Sequence, residues 1–330
     1  MTQASSYRLL SYQGPSGPRA GLLIDEIVLD LEQALKTYAG KPGSAAVDFS
    51  GDSVMAVLQA WDKAKSVLRS IAEQQRAGKL QAPTQALSQL KLLAPILYPG
   101  AYFCATANYV DHIMEMRKVP PPDKATNRPC FFLKTTIHSI IGPGDTAHMS
   151  RTSNKVFWEG ELGVVIGKAA HYVKKEEALS YVAGYMPVND LSDTTDTMIR
   201  RKDKYGEWFG HDWFRNKCFD DASPMGPWIT PADEVADPQD LSLKTVVSGR
   251  TMQDSSTKNM HFTVAEQIEY LSERITLRPG DVIATGTCKG VGREEGKYLT
   301  SGDEVEVTIG HLGTLRHFVE QDTVPARGDQ

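Results

Sequence analysis

Cysteine is scarce: Cys104, Cys130, Cys218 and Cys288 are spread through 330 residues and form no CxxC pair. That spacing indicates neither a thiolate zinc site nor a disulfide framework. Basic clusters are missing too, since 36 Lys and Arg stand against 41 Asp and Glu for a net charge of −5. A nucleic-acid surface needs a basic patch to meet phosphates, so that class of partner is not expected. No segment approaches the roughly 18 apolar residues of a membrane span. The opening MTQASSYRLLSYQGPSG has neither the basic start nor the apolar stretch of a secretion signal, and the expectation is a cytoplasmic protein with no membrane partner. Internal repeats, low-complexity tracts and a GxxxxGK(S/T) phosphate loop are also absent.

What is present is strand and turn. The runs YRLLSYQ and RAGLLID, separated by GPSGP, predict a hairpin, and EIVLDLEQAL a helix after it. From Asp52 the period changes: Val54, Leu58, Trp61, Val67, Leu68 and Ile71 fall at mostly helical spacings, with Asp52 or Ser53 as N-cap. The polar stretch QRAGKLQAPTQALSQ then reads as the end of that helix and a linker. We therefore expect a small α+β unit over residues 1–95 and a second unit over 96–325. The second alternates strands (AYFCATANY, FWEGELGVVIG, YVAGYMPVND, DVIATGT, EVEVTIG) with turns such as Pro279-Gly280-Asp281. Helices are expected there over KKEEALSYVAG and FTVAEQIEYLSERI. Many strands with few crossover helices predict a mostly β fold with some α.

One strand carries a charge problem. In FWEGELGVVIG, alternation puts Glu159 and Glu161 on one face with Val165, while Leu162, Val164 and Ile166 line the other. Two carboxylates converging on one spot need a shared proton, a cationic partner or a metal ion, unless the face is open to water. Asp190, at the end of YVAGYMPVND, is the candidate for a third carboxylate, and oxygen ligands of this kind suit Mg²⁺ or Mn²⁺. In NYVDHIMEM, His112 and Glu115 stand three apart, so on a helix the carboxylate can orient the imidazole.

WEGELGVVIG, AGYMPVNDLS, KCFDDASPMGPW and LRPGDVIATGTCKGVG, in this order, resemble the core of the fumarylacetoacetate hydrolase family. NYVDHIMEM matches that family's lid segment and GDEVEVTIGHLGTLRH its last strands, so the resemblance spans residues 98–322. It implies a mixed β-roll or distorted barrel, a homodimer, and a divalent metal held by Glu159, Glu161 and Asp190. Mg²⁺ or Mn²⁺ is expected, with Ca²⁺ also compatible. It further implies that His112 and Glu115 activate the attacking water, that Lys217 steadies an oxyanion, and that Thr287 and Lys134 meet the substrate.

The family pattern is broken after the metal aspartate. NDLSDTTD has Thr194 where the family's NDxSARD carries an arginine, and the segment that follows is longer than usual. Either Arg200 or Arg201 replaces that contact, or the substrate lacks a carboxylate there and is larger or more apolar, as Tyr205, Trp208, Phe209, Trp213 and Phe214 would suit; the same aromatics would equally suit a packed subunit interface. The expected activity is metal-dependent hydrolysis of a C–C bond in a 2,4-dioxo acid of the acylpyruvate kind. An oxo-acid decarboxylase, an enol–keto isomerase and a non-catalytic metal or metabolite binder are the alternatives.

Overall fold

The computed structural model describes residues 6–323. Most of its ordered elements are strands, arranged around three larger sheets. The first belongs to the N-terminal part: Thr84–Ala86, Ile27–Asp30, Gly17–Ile24, Arg8–Gly14 and Leu92–Leu93 pair in that order, all antiparallel. The expected hairpin is there, but EIVLD does not enter the helix. It forms a third strand, because its apolar residues alternate against Gly17–Ile24, and the helix Leu31–Ala39 starts only after Asp30 caps it. The linker likewise adds the short strand Thr84–Ala86 to one sheet edge, and Leu92–Leu93 just after it joins the other. The periodic stretch from Asp52 forms two helices, Val54–Gln59, capped by the Ser53 side chain, and Trp61–Arg76.

The remaining chain builds two core sheets. One runs Thr230–Pro231, Val182–Asn189, Gly160–Ile166, Val282–Thr287, Tyr102–Ala105, Phe131–Leu133. The other runs Arg250–Ser256, Ser242–Val247, Glu304–Ile309, Thr314–Gln321, Thr146–Met149. Leu162, Val164, Ile166 and Ile283 of the first share a buried cluster with Leu243, Val307, Ile309 and Leu315 of the second. The helix Val264–Ser272 forms where FTVAEQIEYLSERI predicts it, opened by a capping box between Thr263 and Glu266. KKEEALSYVAG yields only the turn Lys175–Ala178 and a short 3₁₀ turn, since Val182 onward is claimed by the sheet.

The opposite face of the first core sheet packs on the N-terminal part. Val165, Met186, Val188 and Ile229 lie in one cluster with Leu9, Leu58 and Trp61. Leu9 and Ile229 also exchange backbone hydrogen bonds, at 3.0 and 2.8 Å. Among the described residues, no helix is long and apolar enough to cross a membrane.

Candidate active site

The site forms where two neighbouring strands of the core sheet end together. Gly160 pairs with Asn189, which places Glu159 and Glu161 on either side of that pairing and Asp190 just beyond it. Asp190 N–H donates to Glu159 O at 2.9 Å. One carboxylate oxygen from each of Glu159, Glu161 and Asp190 lies within 4.8 Å of the other two. As alternation predicts, Glu161 shares its face with Val165, while Leu162, Val164 and Ile166 enter the opposite cluster.

Trp158 and Glu159 break the chain between the strands Val156–Phe157 and Gly160–Ile166, which leaves the N–H groups of Glu159 and Gly160 at that junction to be satisfied. Buried N–H groups still need acceptors. Two side-chain amides from distant parts of the chain supply them: Glu159 N–H donates to Asn189 Oδ1 and Gly160 N–H to Gln253 Oε1, each at 2.9 Å. Asn189 Nδ2 donates onward to His317 Nε2 at 2.8 Å. Burial pushes His317 down to about 4, so it stays a neutral acceptor. Gln253 Nε2 donates to Thr287 Oγ1 at 2.8 Å, and that hydroxyl donates to Gly160 O at 2.8 Å. No side chain fits at Gly160, where a Cβ would lie 2.3 Å from Thr245 Oγ1. Asn189→Ala removes the acceptor that holds Glu159, and a ten- to hundredfold weaker Mn²⁺ affinity is expected by titration calorimetry. Unchanged affinity would mean that other contacts hold Glu159 in place.

Two lysines face the acidic trio. Lys217 Nζ donates to Asp190 Oδ2 at 2.7 Å and to Glu159 Oε2 at 3.0 Å. Burial works against its charge, but Asp190 and Glu159 outweigh burial and raise its pKa above that of an ordinary lysine. Lys134 is fully buried, and its Nζ donates to Asp190 Oδ1 at 2.6 Å, Ala222 O at 2.6 Å and Leu191 O at 3.0 Å. For Asp190, burial favours the protonated form, yet the two lysines prevail and hold its carboxyl below the usual range.

Glu161 is treated differently. Its Oε2 accepts from Gly286 N–H at 2.6 Å, a close approach made possible because Gly286 sits at φ +95°. Its Oε1 is buried and has no hydrogen-bond partner. Burial, then the charges of Asp190 and Glu159, push this carboxyl well above the usual range. A buried oxygen without a donor, beside two more carboxylates, fits a hard divalent cation, which takes oxygen ligands and relieves the repulsion. Mg²⁺, Mn²⁺ and Ca²⁺ all accept such a set.

The expected helix over the histidine segment is Val110–Arg117, and in it His112 Nδ1 lies 3.0 Å from Glu115 Oε2. A carboxylate only accepts, so the neutral imidazole carries its proton on Nδ1 and presents the lone pair of Nε2. Glu115 Oε1 accepts from Gly290 N–H at 3.0 Å. Burial alone would raise Glu115, but His112 and Gly290 together hold it below the usual carboxylate range.

His112, Glu159, Lys217 and Thr287 line one cavity of about 150 Å³. Glu161 and Asp190 lie beneath it, and Glu115 stands behind His112. Lys134 is not among the lining residues, because its three donors are all spent behind Asp190. Thr287 reaches the cavity with its hydroxyl already committed to Gly160 and Gln253. Arg200 and Arg201 lie on the exposed strand Met198–Asp203 of a two-stranded hairpin and do not line the cavity. The side chains of Trp208 and Phe209 on that hairpin lie outside the described residues. Trp213, just past it, does line the cavity and stacks on Phe132 at 5.2 Å. Sequence reading missed Asn189, Gln253 and His317 as supports, and His211 and Arg293 as lining residues. Only Asn189 offered a signal, through its place beside Asp190.

Comparison with known proteins agrees with this geometry. The model for the C-terminal domain of fumarylacetoacetate hydrolase matches residues 101–320. A 2,4-didehydro-3-deoxy-L-rhamnonate hydrolase from a Sphingomonas strain is 41% identical over 232 residues, 69% of this chain and 75% of that protein. A human mitochondrial oxaloacetate tautomerase is 38% identical over 242 residues, 73% of each chain. The crystal structure of maleylpyruvate hydrolase from Sphingobium sp. SYK-6, in complex with manganese(II) and pyruvate, superposes with a TM-score of 0.72 at 26% identity, covering 96% of this chain and all of that one. Fold, acidic trio and relatives coincide, and the chain belongs to the fumarylacetoacetate hydrolase family.

Proposed function

We propose that this protein is a divalent-metal-dependent hydrolase that cleaves a C–C bond in a 2,4-dioxo acid. The observation that carries this reading is that His112, backed by Glu115, lines the same cavity as Glu159 and Lys217. A metal held by Glu159, Glu161 and Asp190 would polarise the 2-oxo acid and stabilise enolate charge. His112 Nε2 takes a proton from water, and Glu115 stabilises the imidazolium that results. The hydroxide adds to the 4-carbonyl. The C3–C4 bond then breaks, leaving a carboxylic acid and the enolate of a 2-oxo acid, which is protonated at C3 by the proton His112 took from water, restoring the neutral imidazole. Lys217 keeps its charge through this sequence, and the N–H beyond its two carboxylate bonds steadies the developing oxyanion.

An isomerase shares the metal half of such a site but needs no attacking water. The human tautomerase among the relatives makes it the second reading. His112→Asn separates the two. In the Mn²⁺-loaded protein, hydrolysis of acylpyruvates should fall by about three orders of magnitude, while calorimetric Mn²⁺ affinity stays within roughly threefold because His112 is no ligand. Retained hydrolysis would remove His112 as the base. Wild-type protein that only interconverts enol and keto oxaloacetate would favour the isomerase.

A further inference from the structure

The cavity is graded by burial. Asp190 is 1% exposed and Lys217 5%, whereas the Arg293 side chain, which lines the same space, is 57% exposed. Arg293 therefore stands at the mouth, away from the carboxylate floor. It follows Gly292, where the chain packs too closely for a side chain: a Cβ would lie 2.4 Å from Lys297 O and 2.9 Å from Phe157 Cβ. The guanidinium is only loosely engaged: Glu294 Oε1 lies 3.8 Å from Nε, beyond hydrogen-bond reach. His211, also at the cavity, packs edge-on against Trp213 at 4.8 Å, and its ring nitrogens have no hydrogen-bond partner among the described residues. Every other cation of the site is committed, with Lys217 bonded to Asp190 and Glu159 and Lys134 buried behind Asp190. A planar guanidinium with open donors at a cavity mouth is suited to a carboxylate, which it grips through two parallel N–H bonds.

We infer that Arg293, assisted by His211, is the specificity-determining residue for a second, distal carboxylate, and that the preferred substrate is a dicarboxylic oxo acid. This deepens the hydrolase reading and rests on it for the reactive end. The space suits such a molecule, since about 150 Å³ is below the roughly 300–1,000 Å³ of pockets for drug-sized ligands. The aromatic wall of Phe132 and Trp213 would flank the carbon chain between the two ends.

The test uses two unreactive 2-oxo acids of equal length, 2-oxoglutarate and 2-oxopentanoate, titrated calorimetrically into the Mn²⁺-loaded full chain. Wild type is expected to prefer the dicarboxylate by about tenfold or more, and Arg293→Ala to reduce that preference to roughly threefold or less, with affinity for 2-oxopentanoate unchanged. Arg293→Lys should fall between, keeping the charge but losing the fork. No wild-type preference, or a preference that survives Arg293→Ala, overturns the inference. A kinetic arm compares 2,4-dioxo acids ending in carboxylate or methyl. Arg293→Ala should raise KM for the first and leave kcat and the second substrate alone, whereas an equal loss on both would contradict the assignment. If neither dioxo acid turns over while the binding preference behaves as expected, the hydrolase reading fails and the carboxylate assignment stands.

Discussion

Replacing Glu161 by glutamine is expected to lower Mn²⁺ affinity by at least about a hundredfold and to take turnover with it. The amide fills the same volume and can still accept from Gly286 N–H, so packing survives. What disappears is one full negative charge at a buried oxygen that no protein donor satisfies. Matching a divalent cation with one carboxylate fewer in a low-dielectric floor costs at least the ~2.7 kcal/mol that a hundredfold represents. The same carboxyl predicts a proton count. Burial and the neighbouring Asp190 and Glu159 raise Glu161 in the metal-free protein, so the proton it holds must leave when the ion enters. Apparent affinity should therefore climb as pH rises through that raised value and weaken on the acid side. Stability has the opposite sign: without metal, the contribution of a raised carboxyl is present at low pH and lost as pH rises through it. Calorimetry in buffers of different ionisation enthalpy measures the released proton, and Glu161→Gln should abolish it. An unchanged proton count in the variant would assign the release elsewhere.

Lys134→Met should produce the largest loss of stability among the site's residues. The substitution leaves Asp190 short of one of its two lysines and strands the carbonyl of Leu191 in a fully buried place, while Ala222 O keeps only the Leu191 N–H. Breaking a buried ion pair from one side costs ~3–5 kcal/mol, which for a chain of this size corresponds to a melting midpoint lower by roughly 5–10 °C. Asp190 also supplies a sign. Its carboxyl is held down despite burial because Lys134 and Lys217 outweigh burial, so its stabilisation is present above the unfolded value and lost as pH falls. Without Lys134 that loss begins at higher pH, and the acid-unfolding midpoint of the metal-free protein should move up. Saturating Mn²⁺ should recover part of the thermal deficit. Scanning calorimetry of both proteins, with and without Mn²⁺, decides the matter, and a midpoint within about 1 °C of wild type would refute it.

The most legible parts of the site were those encoded by local period. Two glutamates at i and i+2, a His/Glu pair at i and i+3, and an aspartate ending a strand each follow from the geometry of one element. The positions where alternation worked are also those where one face is buried, as at Leu162 and Val165. EIVLD reads as helix, and YVAG as both a helix end and a strand start, because short apolar runs carry either period, and strand pairing decides between them. Supports drawn from far along the chain left no local trace: Gln253 reaches Gly160 across 93 residues and His317 reaches Asn189 across 128. Lys134 looks like any strand-end lysine until the sheet closes over it, and Arg293 like any surface arginine until the cavity is formed around its neighbours.

The packing between the N-terminal sheet and the core sheet bears on how this chain can be recombined. Val165, Met186 and Val188 lie on the two strands that carry Glu161 and Asp190, and they share a core with Leu58 and Trp61 from the first hundred residues. Trp61 presses so closely on the strand's exit that a Cβ at Gly167 would lie 2.6 Å from it. Side chains from both sides of residue 95 share that one buried cluster. A hybrid joining this core to a relative's front segment should fold only when Leu58, Trp61 and their counterparts across the seam are exchanged as a set.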